Sequence, residues 1–146
     1  MPNNEPTLRG RRDAVVREHM ESENRQDFEA TLATFAHPRY ELVATGEVYD
    51  GADAVMGYYA ATRAAFPDQR NEVHAVHHAD DAVIVEFDLL GTHRGPLRGI
   101  PATGRTFRCR MAAVFSFAGD RIVCERVHFD AATFLQQLGL SPGGAR

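Results

Sequence analysis

The sequence predicts an α+β fold in which a curved antiparallel sheet is closed by helices into a cone with one open end. Three observations carry this. Helical periodicity dominates the chain up to Pro67, and period-two alternation dominates it afterwards. Two of the links between the later strands are short turns, "DD" (Asp80, Asp81) and "AGD" (Ala118 to Asp120), which make neighbouring strands antiparallel. Segregated helices and antiparallel strands are the α+β arrangement, and the open end of a cone is a natural ligand pocket.

The first helix is expected from about Thr7 to Ser22, with Val15, Val16, His19 and Met20 as its apolar stripe among charges. Asp27 suits the N-cap of a second helix carrying Phe28, Leu32 and Phe35, and Pro38 stops it. Tyr40 to Ala44 reads as a strand, "TG" as a turn and Glu47 to Tyr49 as a second short strand. A third helix starts at Asp50 or Gly51, with Val55, Tyr58, Tyr59 and Thr62 on one face, and closes at Pro67. Four long strands follow. In the third of them Phe107, Cys109, Met111, Ala113, Phe115 and Phe117 take one face. Ala131 to Leu140 reads as a short last helix. One domain spans residues 1–146, with 1–6 and 141–146 expected to fray.

The formal net charge is −4, which does not suggest a sequence-independent nucleic-acid binder. No apolar run approaches the roughly 20 residues of a membrane span, and the polar start "MPNNEPTLRG" lacks a signal-peptide core. Cys109 and Cys124 lie out of register on neighbouring strands, so two free thiols and a cytoplasmic location are expected. His74, His77 and His78 have no companion ligand at a metal-site spacing, and no phosphate loop or nucleophile elbow is present; no metal and no cofactor are expected.

One link is long. "GTHRGPLRGIPATGR" (Gly91 to Arg105) has four glycines and two prolines and carries His93, Arg94 and Arg98. Such a connection is expected either to rim the cone's mouth and meet substrate, or to cap the sheet's end and touch a second copy.

That link, "FPD" (Phe66 to Asp68), "HPRYELVATGEVYDG", and "FSFAGDRIVCERVHFD" with the following "FLQQLG" resemble the SnoaL-like polyketide cyclases, part of the nuclear-transport-factor-2-like (NTF2-like, cystatin-like) superfamily. The likeness spans roughly Asp27 to Leu140. It implies the cone-shaped fold, a small hydrophobic substrate and cofactor-independent aldol-type cyclisation by a last-strand carboxylate. Relatives read "EHWDxxD" on that strand; here the stretch is "ERVHFD" (Glu125 to Asp130), so Asp130 keeps the second acidic position and Val127 replaces the first. The same superfamily hosts epoxide hydrolases, isomerases and non-catalytic dimerisation modules.

The catalytic candidates are therefore Asp130, His128 and Glu125. Asp130 also suits a helix N-cap. His128 and Asp130 share one strand face, while Val123, Val127 and Phe129 favour the opposite one and make Glu125 the inward acid; a bulge would switch the phase. Tyrosine hydroxyls and imidazoles suit an enolate oxygen, which brings in His37, Tyr40, Tyr49, Tyr59 and His93. Phe66, Phe87 and Met111 are candidate pocket walls, and Arg126 a candidate substrate-orienting cation that, with Asp88 and Asp130, also resembles an epoxide-hydrolase triad. The expected partners are a small substrate and a second copy docked through the sheet.

Overall fold

The computed structural model describes residues 4–140; the expected frayed tail at 141–146 lies outside the described residues. The elements are α1 (Leu8–Asn24), α2 (Phe28–Ala33), β1 (Arg39–Leu42), β2 (Glu47–Asp50), α3 (Ala52–Ala65), β3 (Arg70–His78), β4 (Ala82–Thr92), β5 (Thr106–Ala118), β6 (Arg121–Phe129) and α4 (Ala131–Gln137). One curved six-stranded sheet runs in the order β2-β1-β6-β5-β4-β3. All its pairs are antiparallel except β1 with β6, which are parallel. Helices lie on its concave side, as the α+β pattern requires.

Helix α1 begins where Thr7 caps it, the hydroxyl accepting the Gly10 N–H at 3.1 Å. It runs two residues beyond the expected end. Asn24 holds the last turn by clamping β3: its Oδ1 accepts the Asn71 N–H at 2.8 Å and its Nδ2 donates to the Asn71 carbonyl at 3.0 Å. The face buried against the sheet is Arg12, Val16, His19, Met20 and Glu23, an i, i+4, i+7 pattern that includes three ionisable groups. Asp27 and Asp130 cap α2 and α4 as expected.

The core alternation on β5 is as expected, with Phe107, Cys109, Met111, Ala113, Phe115 and Phe117 all buried. Both cysteines are free. Two bulges depart from simple alternation. On β3, His74 is the extra residue between the Val73–Phe87 and Ala75–Glu86 pairs. It sends His74 and His77 outward to Asp88 (3.0 Å) and Glu86 (3.0 Å), while His78 turns to Asp13 on α1 (3.1 Å). Strict alternation along β3 puts His74 and His78 on one face, and the bulge separates them. On β6, Val123 is the extra residue between the Phe117–Ile122 and Ser116–Cys124 pairs. Bulges bend a strand and increase its twist, which suits the curvature here.

The long link is shorter than its sequence suggested, because β4 runs to Thr92 and β5 starts at Thr106. Its first part is bolted down. The Asp68 carboxylate accepts the Thr92 N–H and hydroxyl, both at 2.7 Å. The Arg94 and Gly95 N–H groups both donate to the Ala65 carbonyl, at 3.0 and 3.1 Å. A Cβ on Gly95 would stand 2.0 Å from the Ala64 carbonyl oxygen. The tip is tied by one side-chain pair, Arg98 to Glu47 on β2. Gly95→Ala is therefore expected to cost about 1–3 kcal/mol, as overpacking does, and to lower the melting temperature by several degrees; an unchanged melting temperature would show that the link moves freely.

Candidate active site

Three ionisable side chains from two distant segments meet inside the concave face. Glu125 on β6 is 1% exposed and His19 on α1 is fully buried, with Glu23 one helical turn further on. Glu125 arrives there because of the Val123 bulge, which lets Ile122 and Glu125 both point inward although they are three residues apart. Its inward neighbour two residues on is Val127, 2% exposed. Glu125 thus lies one inward step, about 7 Å, from Val127, which stands at the first acidic position of the motif that the last strand resembles.

The His19 ring is fixed on all sides. Thr34 donates its hydroxyl proton to the Thr31 carbonyl at 2.6 Å, so its oxygen accepts from His19 Nδ1–H at 2.9 Å. Phe35 and Phe115 pack edge-on against the ring at 5.3 and 5.0 Å between centroids. Nε2 therefore faces the carboxylates, 3.4 Å from Glu125 Oε2 and 3.6 Å from Glu23 Oε1. Both distances suit an ion pair and are too long for a good hydrogen bond. His19 Nε2, Glu125 Oε2 and the Tyr59 hydroxyl are buried without a hydrogen-bond partner.

Burial disfavours the imidazolium of His19, but the negative charges close to Nε2, Glu125 first and then Glu23, outweigh it and raise its pKa to about 10. Burial also raises Glu23; contact with His19, the Arg63 charge and the Tyr59 hydroxyl reverse this and leave it low. For Glu125, burial wins. Its pKa is raised, with Glu23 adding to the rise and His19 only partly opposing it. Two carboxylates and one imidazolium, all charged, carry a net −1 in a dry site, and Glu125 is the group on which that charge weighs most. Tyr40 is Glu125's register partner across the parallel β1–β6 pair. Burial raises the pKa of Tyr40 and of Tyr59 well above the usual tyrosine value, so both stay neutral donors. If any described residues could hold a cation, these are the ones: donor atoms of His19, Glu23 and Glu125 all lie within 4.8 Å of one another. Protonated His19 already supplies positive charge at that point.

The structure brings together only some of the expected residues. Glu125, Tyr40 and Tyr59 meet. Tyr49 packs against Tyr58 at 4.7 Å, and Tyr58 against Tyr40 at 5.0 Å, each pair tilted by 36°, forming a ladder from β2 inward. Phe66, Phe87 and Met111 are core residues, and His93 is fully buried in the link. His128 is exposed on the opposite face of β6, because the inward phase belongs to Glu125 and Val127. Asp130 does not join Glu125: it is exposed and caps α4, accepting the Thr133 N–H at 3.1 Å and hydroxyl at 2.6 Å. His37 is exposed and pairs with Asp50 at 2.5 Å. Arg126 points outward to Glu41 at 2.9 Å. Asp88 is held by Arg108, Arg110 and His74, so Asp88, Arg126 and Asp130 assemble no triad. Surface clefts of about 380 and 470 Å³ flank α1 beside β3, and neither is lined by His19, Glu23 or Glu125.

His19 and Glu23 went unrecognised in the sequence as functional groups. The available signal was an ionisable pair at i, i+4 occupying the buried stripe of an otherwise charged helix.

The profile of the SnoaL-like polyketide cyclase family matches residues 13–138. Similar solved structures include a protein from Jannaschia sp. CCS1 assigned as a SnoaL-like polyketide cyclase, 17% identical, TM-score 0.83, covering 96% of this chain and 99% of that one. IdmH from Streptomyces antibioticus, assigned as a polyketide cyclase, is 27% identical with a TM-score of 0.75, covering 88% and 99%. A protein from Xanthomonas campestris, also assigned as a polyketide cyclase, is 21% identical with a TM-score of 0.80, covering 90% and 99%. No curated protein matches the chain.

Two predictions follow from the site's charges and caps. A histidine whose pKa is raised by folding stabilises the fold fully below its unfolded value of 6.5 and loses that contribution as pH rises through about 10. The melting temperature is thus expected to fall between pH 6.5 and 10, and His19→Gln to flatten that slope; a parallel slope in the variant would remove His19 as its source. Asp130→Ala is expected to lower the melting temperature by a few degrees through loss of the cap, without altering the environment of Glu125.

Proposed function

Because the chain belongs to the SnoaL-like polyketide cyclase family, we propose that it is a cofactor-independent enzyme acting on a hydrophobic carbonyl compound held on the concave face of its sheet. The observation that carries this is Glu125: a carboxyl group with a raised pKa and an unpartnered oxygen, facing an unpartnered His19 nitrogen. A carboxylate made more basic by burial suits removal of a proton beside a carbonyl. Tyr59 and Tyr40 are neutral hydroxyl donors of the kind that stabilise the resulting enolate oxygen. The His19 imidazolium, kept charged by the two carboxylates beside it, offsets the negative charge passing between substrate and Glu125.

For cyclisation, the enolate carbon attacks a second carbonyl of the same molecule. A carbon–carbon bond forms, and the new alkoxide takes back the proton held on Glu125. No atom is gained or lost. Isomerisation is the same first step with the proton returned to a different carbon, and the same residues support it. Epoxide hydrolysis on Asp88, Arg126 and Asp130 has no support, since those residues point to different partners. The homodimer through the sheet is part of the proposal: the outward side chains of β4 and β5 include half-buried Ile84, Ala112 and Val114.

The test begins with a thermal-shift screen of aromatic polyketide esters, enolate mimics of cyclic ketones, and lipophilic epoxides with their diols. A ligand at 100 times its dissociation constant adds about 2.7 kcal/mol. With the compound class so found, Glu125→Gln is expected to lower kcat about 10²–10⁴-fold while keeping the fold, and Asp130→Asn to leave kcat within a few fold. Binding without turnover by the wild type would favour a non-catalytic ligand-binding module, and full activity in Glu125→Gln would remove Glu125 as the acid/base.

A further inference from the structure

Proton transfer at Glu125 needs one carboxylate and one positive charge, yet the fold buries two carboxylates around a single imidazole nitrogen. On α1, His19 and Glu23 are one helical turn apart and share the buried stripe. The bulge at Val123 turns Glu125 in from the other side. Glu23 Oε1 is 3.6 Å and Glu125 Oε2 3.4 Å from His19 Nε2, and the three donors lie within 4.8 Å of one another. Ligand atoms about 2.0–2.2 Å from one tetrahedral ion stand about 3.3–3.6 Å apart. The two separations, long for hydrogen bonds, are therefore the span of two ligands on one metal ion.

His19 is held as a ligand is held. Its Nδ1–H donates to Thr34 Oγ1 at 2.9 Å, and the Thr34 hydroxyl proton is committed to the Thr31 carbonyl at 2.6 Å. That contact fixes the ring and turns Nε2 toward the carboxylates, as the outer partner of a metal-bound histidine does. The His19 side chain has no exposure and that of Glu125 has 2%, and neither Nε2 nor Oε2 has a hydrogen-bond partner. A nitrogen lone pair facing two carboxylates is repelled unless a cation stands between them, either a proton or a metal ion. A proton leaves the set with a net −1, whereas a dication beside neutral imidazole leaves it with none.

His37, His74 and His77 each meet a carboxylate at the surface. Among the described residues, only His19, Glu23 and Glu125 bring three such donors together. Glu23, with 11% of its side chain exposed, is the member that meets solvent and gives an ion its way in. One imidazole with two carboxylates suits Zn²⁺. Ca²⁺ takes about six to eight oxygens, and Mg²⁺ an octahedral shell that keeps several waters.

We propose that His19 Nε2, Glu23 Oε1 and Glu125 Oε2 hold one four-coordinate Zn²⁺ ion, its fourth position left to water, and that this ion and the proton on His19 exclude each other. The imidazolium proton leaves to solvent as the ion enters. A bound ion occupies the Glu125 oxygen that takes the substrate proton, so zinc shuts the acid/base centre down. That consequence rests on the proposed function; the ion site itself does not.

The full chain, stripped with a chelator, is titrated with Zn²⁺ and with Mg²⁺ by calorimetry. Co²⁺ is followed by its visible absorption, which is intense when four-coordinate and weak when six-coordinate. Wild type is expected to take up one Zn²⁺ per chain, to ignore Mg²⁺ and to show the four-coordinate Co²⁺ band. His19→Gln and Glu23→Gln should each weaken binding at least about tenfold and remove the band, and Thr34→Val, which touches no ion, should weaken it about 10–100-fold. His77→Gln should leave binding unchanged. No uptake by wild type, a six-coordinate Co²⁺ spectrum, full affinity in His19→Gln, or loss of binding in His77→Gln would each overturn the site. Should His19→Gln fail to fold, wild type labelled with ¹⁵N-histidine decides. Zn²⁺ must then move the Nε2 signal of one histidine whose Nδ1 keeps its proton, and movement of surface histidines alone would overturn the site. If Zn²⁺ binds as expected but leaves turnover of the screened compounds unchanged, the acid/base role of Glu125 fails and the ion site stands. If Zn²⁺ does not bind while Glu125→Gln lowers kcat, the ion site falls and the acid/base role stands.

Discussion

A carboxyl group that no water reaches is tolerated only beside a positive charge or with a proton of its own, and this fold sets two such groups against one imidazole. His19 supplies positive charge to both; Glu23 is held low by it, while burial still raises Glu125. Much else serves that arrangement. Thr34 and Thr31 set the tautomer, Phe35 and Phe115 exclude solvent, and the parallel β1–β6 pair sets Tyr40 beside Glu125. Buried ionic groups can often be replaced by apolar ones of equal shape without loss of stability, so the presence of these three speaks for chemistry more than for stability.

The two faces of the sheet divide the electrostatic labour. Outward, Asp88 gathers Arg108, Arg110 and His74, and Glu41 gathers Arg39 and Arg126. The Asp88 pKa falls well below the carboxylate range, chiefly through Arg110 and then His74. These groups reach solvent, where ion pairs contribute little each. Inward, His19, Glu23 and Glu125 are buried together, and Arg12 is held apart from them by the Gly119 and Asp80 carbonyls. The same residue types therefore do different work on the two sides, and a count of charges does not distinguish them.

The regular part of the fold was legible because period-two alternation survives wherever strands pair without interruption. All six inward residues of β5 were read from that pattern, as were the caps Asp27 and Asp130. What escaped the sequence was phase. One extra residue, Val123, decides that Glu125 rather than His128 faces the interior, and one more, His74, regroups the histidines of β3. A bulge has no composition signature; it is set by how two strands fit. His19 was visible as a member of an apolar stripe, but its partner across the sheet lies more than 100 residues away, so no local pattern could pair them. The family resemblance drew attention to the last strand, and burial singles out Glu125 among its acidic residues.

The charged centre is assembled from residues 19, 23, 40, 59 and 125, nearly the full span of the chain. Until β6 joins the sheet, His19 and Glu23 have no Glu125 to face and gain little by leaving water. The centre therefore acts as a late checkpoint in folding: α1 can form early, but it docks with its buried charges balanced only after the last strand is in place. Contacts of such sequence separation slow folding, and they make the completed fold cooperative, since loosening either end of the chain exposes the same three groups.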